Sequence, residues 1–145
     1  MTTDGGLRQI FARHLTGFHW QPIETWSTGQ GVPDTNFCCA SVEGWIEFKL
    51  THAWKVHVTP QQIGWMERRT RAGGRCFIGV RRQTLPGPRR GAAADEFYLY
   101  RGSAVRILSN GALTDARRLG QWSDGPAAWD WAEIAHFLLR SPITD

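Results

Sequence analysis

The stretch WIEFKL, Trp45–Leu50, alternates apolar and charged side chains, which is the pattern of a β-strand with two different faces. Residues two apart along a strand point to the same side, so Glu47 and Lys49 share one face, whereas Ile46, Phe48 and Leu50 share the other. The apolar face requires a packed layer. The charged face is explained either by a surface ion pair, which contributes about 0–1 kcal/mol, or by a functional site.

The residues before this strand predict one helix and two further strands. Leu7, Ile10, Phe11 and Leu15 follow helical spacing and predict a short amphipathic helix over about residues 6–15. HWQPIETW predicts a first strand and TNFCCAS a second, with a turn at 42–44 leading into WIEFKL as the third. The second and third strands together predict a hairpin.

The residues after this strand predict a second helix with clear ends. Thr59 is a good N-cap and Pro60 suits the first helical position. The pair Gly73-Gly74 is a typical C-terminal stop. The apolar stretch RCFIGV then predicts a strand in the middle of the sheet.

The remainder of the chain predicts a looser C-terminal part. Three breakers and four arginines lie in RRQTLPGPRRGAAADE, which predicts a flexible basic segment over about 81–95. EFYLYRG and AVRILS predict a pair of strands, and WDWAEIAHFLLR predicts a final amphipathic helix. We therefore expect a single mixed α/β domain over 1–145, with its core at about 6–82 and a β/α appendage at about 96–145.

The charge and hydropathy of the chain indicate which kinds of partner it binds. The chain carries a net charge of +4 with a pI near 9.4, which favours polyanionic partners. No apolar run approaches the roughly 20 residues needed to span a membrane, and the N-terminus lacks the pattern of a signal peptide. We therefore expect a cytoplasmic protein with no membrane contact.

The three cysteines make a poor disulfide framework and are expected to be buried thiols.

Asp34 makes a functional site the more specific explanation of the charged strand face. It lies where the preceding strand begins, across the hairpin from Glu47. Two converging carboxylates repel each other unless a cation lies between them, and hard oxygen ligands suit Mg²⁺ or Mn²⁺. Lys49 beside such an ion offsets charge that builds on phosphorus, so the set suits phosphodiester hydrolysis.

The sequence PD followed by ExK across a hairpin resembles the PD-(D/E)XK nuclease superfamily. Further shared features are the glycines before the proline, the helix TPQQIGW and the strand GGRCFIGV, so that the resemblance covers about residues 7–82. The chain is most similar to small phage-encoded members, namely Holliday junction resolvase-like and virus-type replication-repair nucleases. The resemblance implies a restriction-endonuclease-like core: a helix, a three-stranded antiparallel meander, a helix and a strand.

The resemblance also implies roles for individual residues. Asp34 and Glu47 would bind the metal and Lys49 would be the catalytic lysine. Gln62 matches the family's helix glutamine through its Q-x-x-W spacing to the following tryptophan, with the neighbouring glutamine as the weaker candidate. The family's acid on the first helix has no counterpart in LRQIFARHL. Either Glu24 replaces it as a metal ligand or an acid is missing.

The expected substrate is DNA, in branched form for the junction-cleaving relatives, and the expected assembly is a homodimer in a phage-infected or prophage-bearing cell. Basic residues predicted to contact the DNA are Lys55, Arg68, Arg69, Arg81, Arg82, Arg89 and Arg90. Two alternatives stay open. One is a superfamily nuclease that acts on linear or single-stranded DNA, and the other is a non-catalytic nucleic-acid-binding protein with the same fold.

Overall fold

The computed structural model describes residues 4–24, 30–88 and 91–144. Its strands form one six-stranded sheet in the order β1 to β6, in which β3 and β4 are parallel and all other neighbours antiparallel. The expected mixed α/β class is confirmed. The elements follow in the order α1 (Leu7–His14), β1 (His19–Pro22), β2 (Thr35–Cys39), β3 (Val42–Thr51), α2 (Pro60–Arg71), β4 (Cys76–Thr84), β5 (Ala94–Arg101), a 3₁₀ turn (Gly102–Ala104), α3 (Val105–Asn110), β6 (Gly120–Trp122) and α4 (Trp131–Arg140).

The unit β3–α2–β4 is the part of the fold that the sequence predicts best. Two parallel neighbours need a crossover connection, and α2 supplies it. Thr59 caps α2 in a capping box with Gln62, and Pro60 begins the helix. Gly73, at φ +91°, follows its end. These local signals set the length of the crossover, and so they place the start of α2 over the charged face of β3.

The sheet separates two apolar layers. On one side α1 and α4 pack on a cluster that includes Phe11, Phe48 and Phe97. On the other side α2 and α3 pack on a cluster that includes Met66 and Tyr98. The prediction that Ile46, Phe48 and Leu50 point into a packed layer is confirmed for Ile46 and Phe48, whereas Leu50 is half-buried. The charged residues of that strand face the α2 side.

The predicted turn at 42–44 is wrong. The chain reverses just before these residues, at Ala40 and Ser41, which both have positive φ, and β3 begins at Val42. Gly44 misled the prediction because glycine is common in turns. It lies inside β3, where a Cβ would come within 2.5 Å of the Phe37 ring. The glycine is therefore a site of close approach within the sheet.

The basic segment is shorter than the sequence predicts. β4 continues to Thr84 and β5 begins at Ala94, so only the residues between them lie outside the two strands. Arg81 and Arg82 belong to β4 and pair with acids of β5, and these cross-strand ion pairs explain why the charges are accommodated in the sheet. Two of the predicted DNA contacts, Arg89 and Arg90, lie outside the described residues.

The C-terminal part belongs to the same core and is not an appendage. β5 pairs with β4 over eight residues, β6 extends the sheet, and Ile134 and Leu138 of α4 are fully buried against it. The prediction of a strand at AVRILS is wrong because Val105 and Leu108 are buried at helical spacing in α3. Of the three cysteines, only Cys76 is buried, whereas Cys38 is exposed and Cys39 is half-buried. None of the helices in the described ranges is long and apolar enough to cross a membrane.

Candidate active site

An open cavity of about 460 Å³ lies where β2 begins, between the charged face of β3 and the first turn of α2. Its wall contains both carboxylates and the helix glutamine that the sequence predicts for the site. The residues around it are Ile23, Gln30, Gly31, Val32, Asp34, Glu47, Thr59, Gln61 and Gln62.

The turn that carries Asp34 depends on a glycine. Gly31 has a φ of +88°, and a Cβ there would come within 2.2 Å of the carbonyl oxygen of Gln61 at the start of α2. The glycine therefore lets the turn pack directly on the helix. Asp34 follows this turn and accepts hydrogen bonds from Thr35 Oγ1 at 2.9 Å and from the backbone N–H of Phe48 at 3.3 Å. Both contacts hold its carboxylate beside β3.

Glu47 and Lys49 occupy the positions that strand alternation predicts. Glu47 Oε1 accepts the backbone N–H of Asp34 at 3.2 Å, and Glu47 Oε2 lies 3.9 Å from Lys49 Nζ. The two side chains are only 12% and 16% exposed, so this is no ordinary surface ion pair. The structure thus brings Asp34, Glu47 and Lys49 together, as the sequence predicts.

Gln62 joins this group through the helix N-terminus. Its Oε1 accepts the backbone N–H of Thr59 at 3.1 Å and Lys49 Nζ at 2.9 Å. The capping box therefore fixes the acceptor that holds the lysine. Gln61 also borders the cavity, but it is exposed and Gln62 alone of the two contacts Lys49.

Burial raises the free-energy cost of keeping the two carboxylates and the lysine of the site charged. Burial raises the pKa of Asp34 to about 6, against the opposing effect of its hydrogen bonds from Thr35 and Phe48. Burial and the nearby charge of Asp34 raise the pKa of Glu47 to about 7. Burial also lowers the pKa of Lys49. A bound cation would reduce the cost of keeping these two partly buried carboxylates ionised.

Asp4 and Arg8 near this site were missed in the sequence analysis. Asp4 is 8% exposed, accepts the backbone N–H of Gly6 at 2.9 Å and lies 3.4 Å from Arg8 Nε. Burial dominates the raised pKa values of the two site carboxyls, and the positive charge of Arg8 opposes that rise in both. The available signal was an acid placed just before the Gly-Gly that precedes α1.

Glu24 is not brought into the cavity. The backbone N–H of Ile23 donates to Asp34 O at 2.8 Å, which places Ile23 opposite Asp34 and lets its side chain border the cavity. Glu24 is exposed and is not among the residues around the cavity. Because neighbouring residues of an extended chain point to opposite sides, Glu24 is a poor replacement for the missing helix acid.

The carboxylate set of the site is therefore a pair. Across residues 4–24, 30–88 and 91–144, no three His, Cys, Asp or Glu side chains are grouped so as to hold a metal ion. A pair of carboxylates still fits Mg²⁺, which proteins commonly bind through one or two carboxylates together with waters and substrate phosphates. The donors of Asp34 and Glu47 are all oxygens, which matches the preference of this ion.

Several predicted DNA contacts have other partners. Arg81 forms a bidentate pair with Asp95 at 2.8 and 2.7 Å, and Arg82 pairs with Glu96 at 2.5 Å. Lys55 Nζ donates to the carbonyl oxygen of Ser109, near the end of α3, at 3.0 Å and to that of Gly111, just after the helix, at 3.3 Å. Arg68 and Arg69 of α2 are exposed. The remaining two predicted contacts, at positions 89 and 90, are not described.

Neither a scan against protein-family models nor a search of curated proteins finds a match for this chain. What defines the site is its local arrangement: two carboxylates and a lysine on one sheet face, under the capped end of the crossover helix.

Proposed function

We propose that this chain is a divalent-metal-dependent endonuclease that hydrolyses phosphodiester bonds in DNA, as the PD-(D/E)XK nucleases that it resembles do. The observation that carries the proposal is the convergence of Asp34, Glu47 and Gln62 around one open cavity, with Lys49 held against Glu47 and Gln62. The order α1, β1–β3, α2, β4 agrees with the order that the resemblance implies. An ordinary surface ion pair is exposed and needs no further polar partners. Glu47 and Lys49 are little exposed, and they contact Asp34 and Gln62 as well as each other.

Asp34 and Glu47 are the residues that would hold Mg²⁺ or Mn²⁺. Their raised pKa values follow from burial, and a bound cation removes the cost of keeping both ionised. When bound, the ion supplies Lewis-acid polarisation of the phosphate and a more acidic water.

Lys49 positions the reacting groups. An ammonium has three donors, of which one is used by Gln62 Oε1 and one faces Glu47 Oε2. In this proposal the third donor serves the attacking water or a phosphate oxygen of the bound substrate. Gln62 keeps the lysine in this orientation because its own Oε1 is tied to the helix N-terminus. Lys49 thus places positive charge where negative charge develops in the transition state.

The substrate that we propose is branched DNA, cut by a homodimer in a phage-infected or prophage-bearing bacterium. The net charge of +4 supports a polyanionic substrate, and the branched structure and the dimer are taken from the junction-cleaving relatives. The rival is a nucleic-acid-binding protein without catalysis. The low exposure of the carboxylates and the lysine favours the nuclease, because burying three charges has a cost that binding DNA alone does not require.

The test compares wild type, Lys49→Ala and Glu47→Ala on a labelled four-way junction, a flap and a linear duplex of equal length. With Mg²⁺ or Mn²⁺ the wild type is expected to cut the junction best and to stop when EDTA is added. Both variants should lose at least about 100-fold in rate, as removal of a transition-state contact does, while Glu47→Ala binds DNA within a few-fold of wild type.

Glu43→Ala is the matched control for Glu47→Ala. Glu43 is an acid on the same face of β3, about 13 Å from Glu47 by strand rise, and it is exposed. Its removal should leave cleavage unchanged. Undiminished cutting by Glu47→Ala, or equal loss in Glu43→Ala, would remove the assigned site. Tight DNA binding with no cleavage under any metal would favour the non-catalytic rival.

A further inference from the structure

A second polar and aromatic surface lies beside the cavity, on the same side of the sheet. Trp45 precedes Glu47 by two residues on β3, so it shares that strand face at about 7 Å along the strand. Trp65 of α2 packs on Trp45 with ring centroids 5.5 Å apart. Arg68 and Arg69 follow on the same helix. These four residues are called the α2 arginine surface below.

The two tryptophans hold Arg69 in place. Its guanidinium carbon lies 4.6 Å from the Trp65 ring centroid and 5.5 Å from that of Trp45. Its aliphatic stem fills the space above Gly74, where a Cβ would come within 2.4 Å of Arg69 Cδ. The arginine is thus pre-ordered by packing, which reduces the conformational entropy lost on binding a ligand.

Arg68 is directed back along the helix, towards the cavity. Its Nη1 lies over Gly64, where a Cβ would come within 2.9 Å. Glycine is a poor helix former, and here its missing side chain gives the guanidinium room one turn nearer to Gln61 on the cavity wall. The basic surface is therefore continuous with the candidate active site along α2.

Neither arginine is neutralised. Across the three described ranges of the chain, Arg68 and Arg69 form no ion pair with a carboxylate, whereas Arg81, Arg82 and Arg106 each do. Stacking on an aromatic face leaves the in-plane N–H donors of a guanidinium free for an oxyanion. Phosphate is favoured over a stacked base as the ligand, because Arg69 already covers the indole rings.

We propose, resting on the nuclease function above, that the α2 arginine surface binds backbone phosphates of the substrate strand on one side of the cleaved bond. Arg69 lies seven positions after Gln62, which is about 10 Å along the helix, and with α2 aligned along the duplex this length spans about three nucleotide steps of one strand. The enzyme therefore needs at least about three nucleotides on that side of the cut. This requirement favours internal cleavage over removal of terminal nucleotides.

The first experiment measures DNA binding by fluorescence anisotropy in EDTA over a series of salt concentrations. The probe is a labelled 30-base-pair duplex. The double variant Arg68→Gln/Arg69→Gln should bind about tenfold or more weakly. Its slope of log K against log salt should be shallower by about 1.8, the value for two lost phosphate contacts. Arg69→Lys should keep most of the salt slope because it keeps the charge.

Arg140→Gln is the matched control. Arg140 is an exposed arginine in the last turn of α4, on the opposite side of the sheet. The DNA affinity and salt slope of the Arg140→Gln variant should equal those of wild type. Melting curves followed by circular dichroism establish that each variant is folded. A double variant with unchanged affinity and salt slope overturns the proposal, as does an equal loss in Arg140→Gln.

The second experiment measures cleavage of duplexes that carry one to ten nucleotides on either side of the cut. Wild type should lose cleavage on one side below about three nucleotides, and the double variant should lose this length dependence. Equal length dependence in both proteins overturns the proposal. If wild type cuts no DNA with Mg²⁺ or Mn²⁺, the nuclease function fails, and the anisotropy result still decides whether this surface binds phosphates.

Discussion

Replacement of Glu47 by glutamine should stabilise the metal-free protein at alkaline pH and abolish its cleavage of DNA. Burial, with the charge of Asp34, raises the pKa of Glu47 from 4.5 to about 7. Keeping this carboxylate ionised in the folded state therefore costs about 3 kcal/mol at pH 8. Glutamine has the same shape, can still accept the backbone N–H of Asp34, and leaves Lys49 its contact with Gln62.

The pH dependence follows from the direction of the shift. A folded-state pKa above the unfolded value means that the folded protein binds the proton more tightly, so stability falls as pH rises. The penalty from Glu47 is absent below about pH 4 and complete above about pH 7. The advantage of Glu47→Gln should grow from about 1 kcal/mol at pH 5 to about 3 kcal/mol at pH 8.

The assay is thermal and urea unfolding of both proteins in EDTA at pH 5 and pH 8. An advantage of this size corresponds to a melting temperature higher by about 5–10 °C at pH 8. Adding Mg²⁺ at pH 8 should raise the melting temperature of wild type and leave the variant unchanged, because only the native carboxylate pair binds the ion.

Glu43→Gln is the control, since Glu43 is exposed on the same strand face and its replacement should not alter the pH profile. A Glu47→Gln protein that is less stable than wild type at pH 8 in EDTA would refute the electrostatic reasoning. An equal rise in the melting temperatures of wild type and Glu47→Gln on addition of Mg²⁺ would refute the role of Glu47 in binding the ion.

Three further outcomes are expected. Lys49→Met should lower the cleavage rate at least about 100-fold and keep DNA affinity within a few-fold of wild type, measured by single-turnover kinetics and anisotropy, because the ammonium held by Gln62 acts mainly on charge that develops in the transition state. Arg81→Gln should destabilise the fold by about 1–3 kcal/mol in urea and leave DNA affinity unchanged, since its guanidinium is committed to Asp95; a loss of affinity in a stable variant would restore its predicted DNA contact. Gly44→Ala should cost about 1–3 kcal/mol or more, because the new Cβ would meet the Phe37 ring at 2.5 Å, and an unchanged melting temperature would contradict that packing.

Three predictions that depended on local signals were confirmed. The caps of α2, the alternation within β3 and the helical spacing of α4 all involve residues a few positions apart. Local hydrogen bonding and periodicity act over such separations, so the sequence carries them directly.

Predictions that depended on distant partners failed more often. The arginines at the end of β4 were expected on a mobile basic segment, but their charges are matched by acids of β5 that lie fourteen residues away along the chain. Lys55 was expected to contact DNA, yet its ammonium lies against carbonyl oxygens at the end of α3, more than fifty residues away. Nothing near these residues in the sequence marks such partners.

The sequence by itself determined the strand alternation and helix caps that set Glu47 and Lys49 on one face of β3 and begin α2 nearby. Only the tertiary structure decided that Asp34 lies against Phe48, that Glu24 stays outside the cavity and that Arg69 is held by two tryptophans without an acidic partner in the described chain. The physical reason is register. The pairing of strands and the docking of helices are set by the whole core, and they select which distant side chains meet.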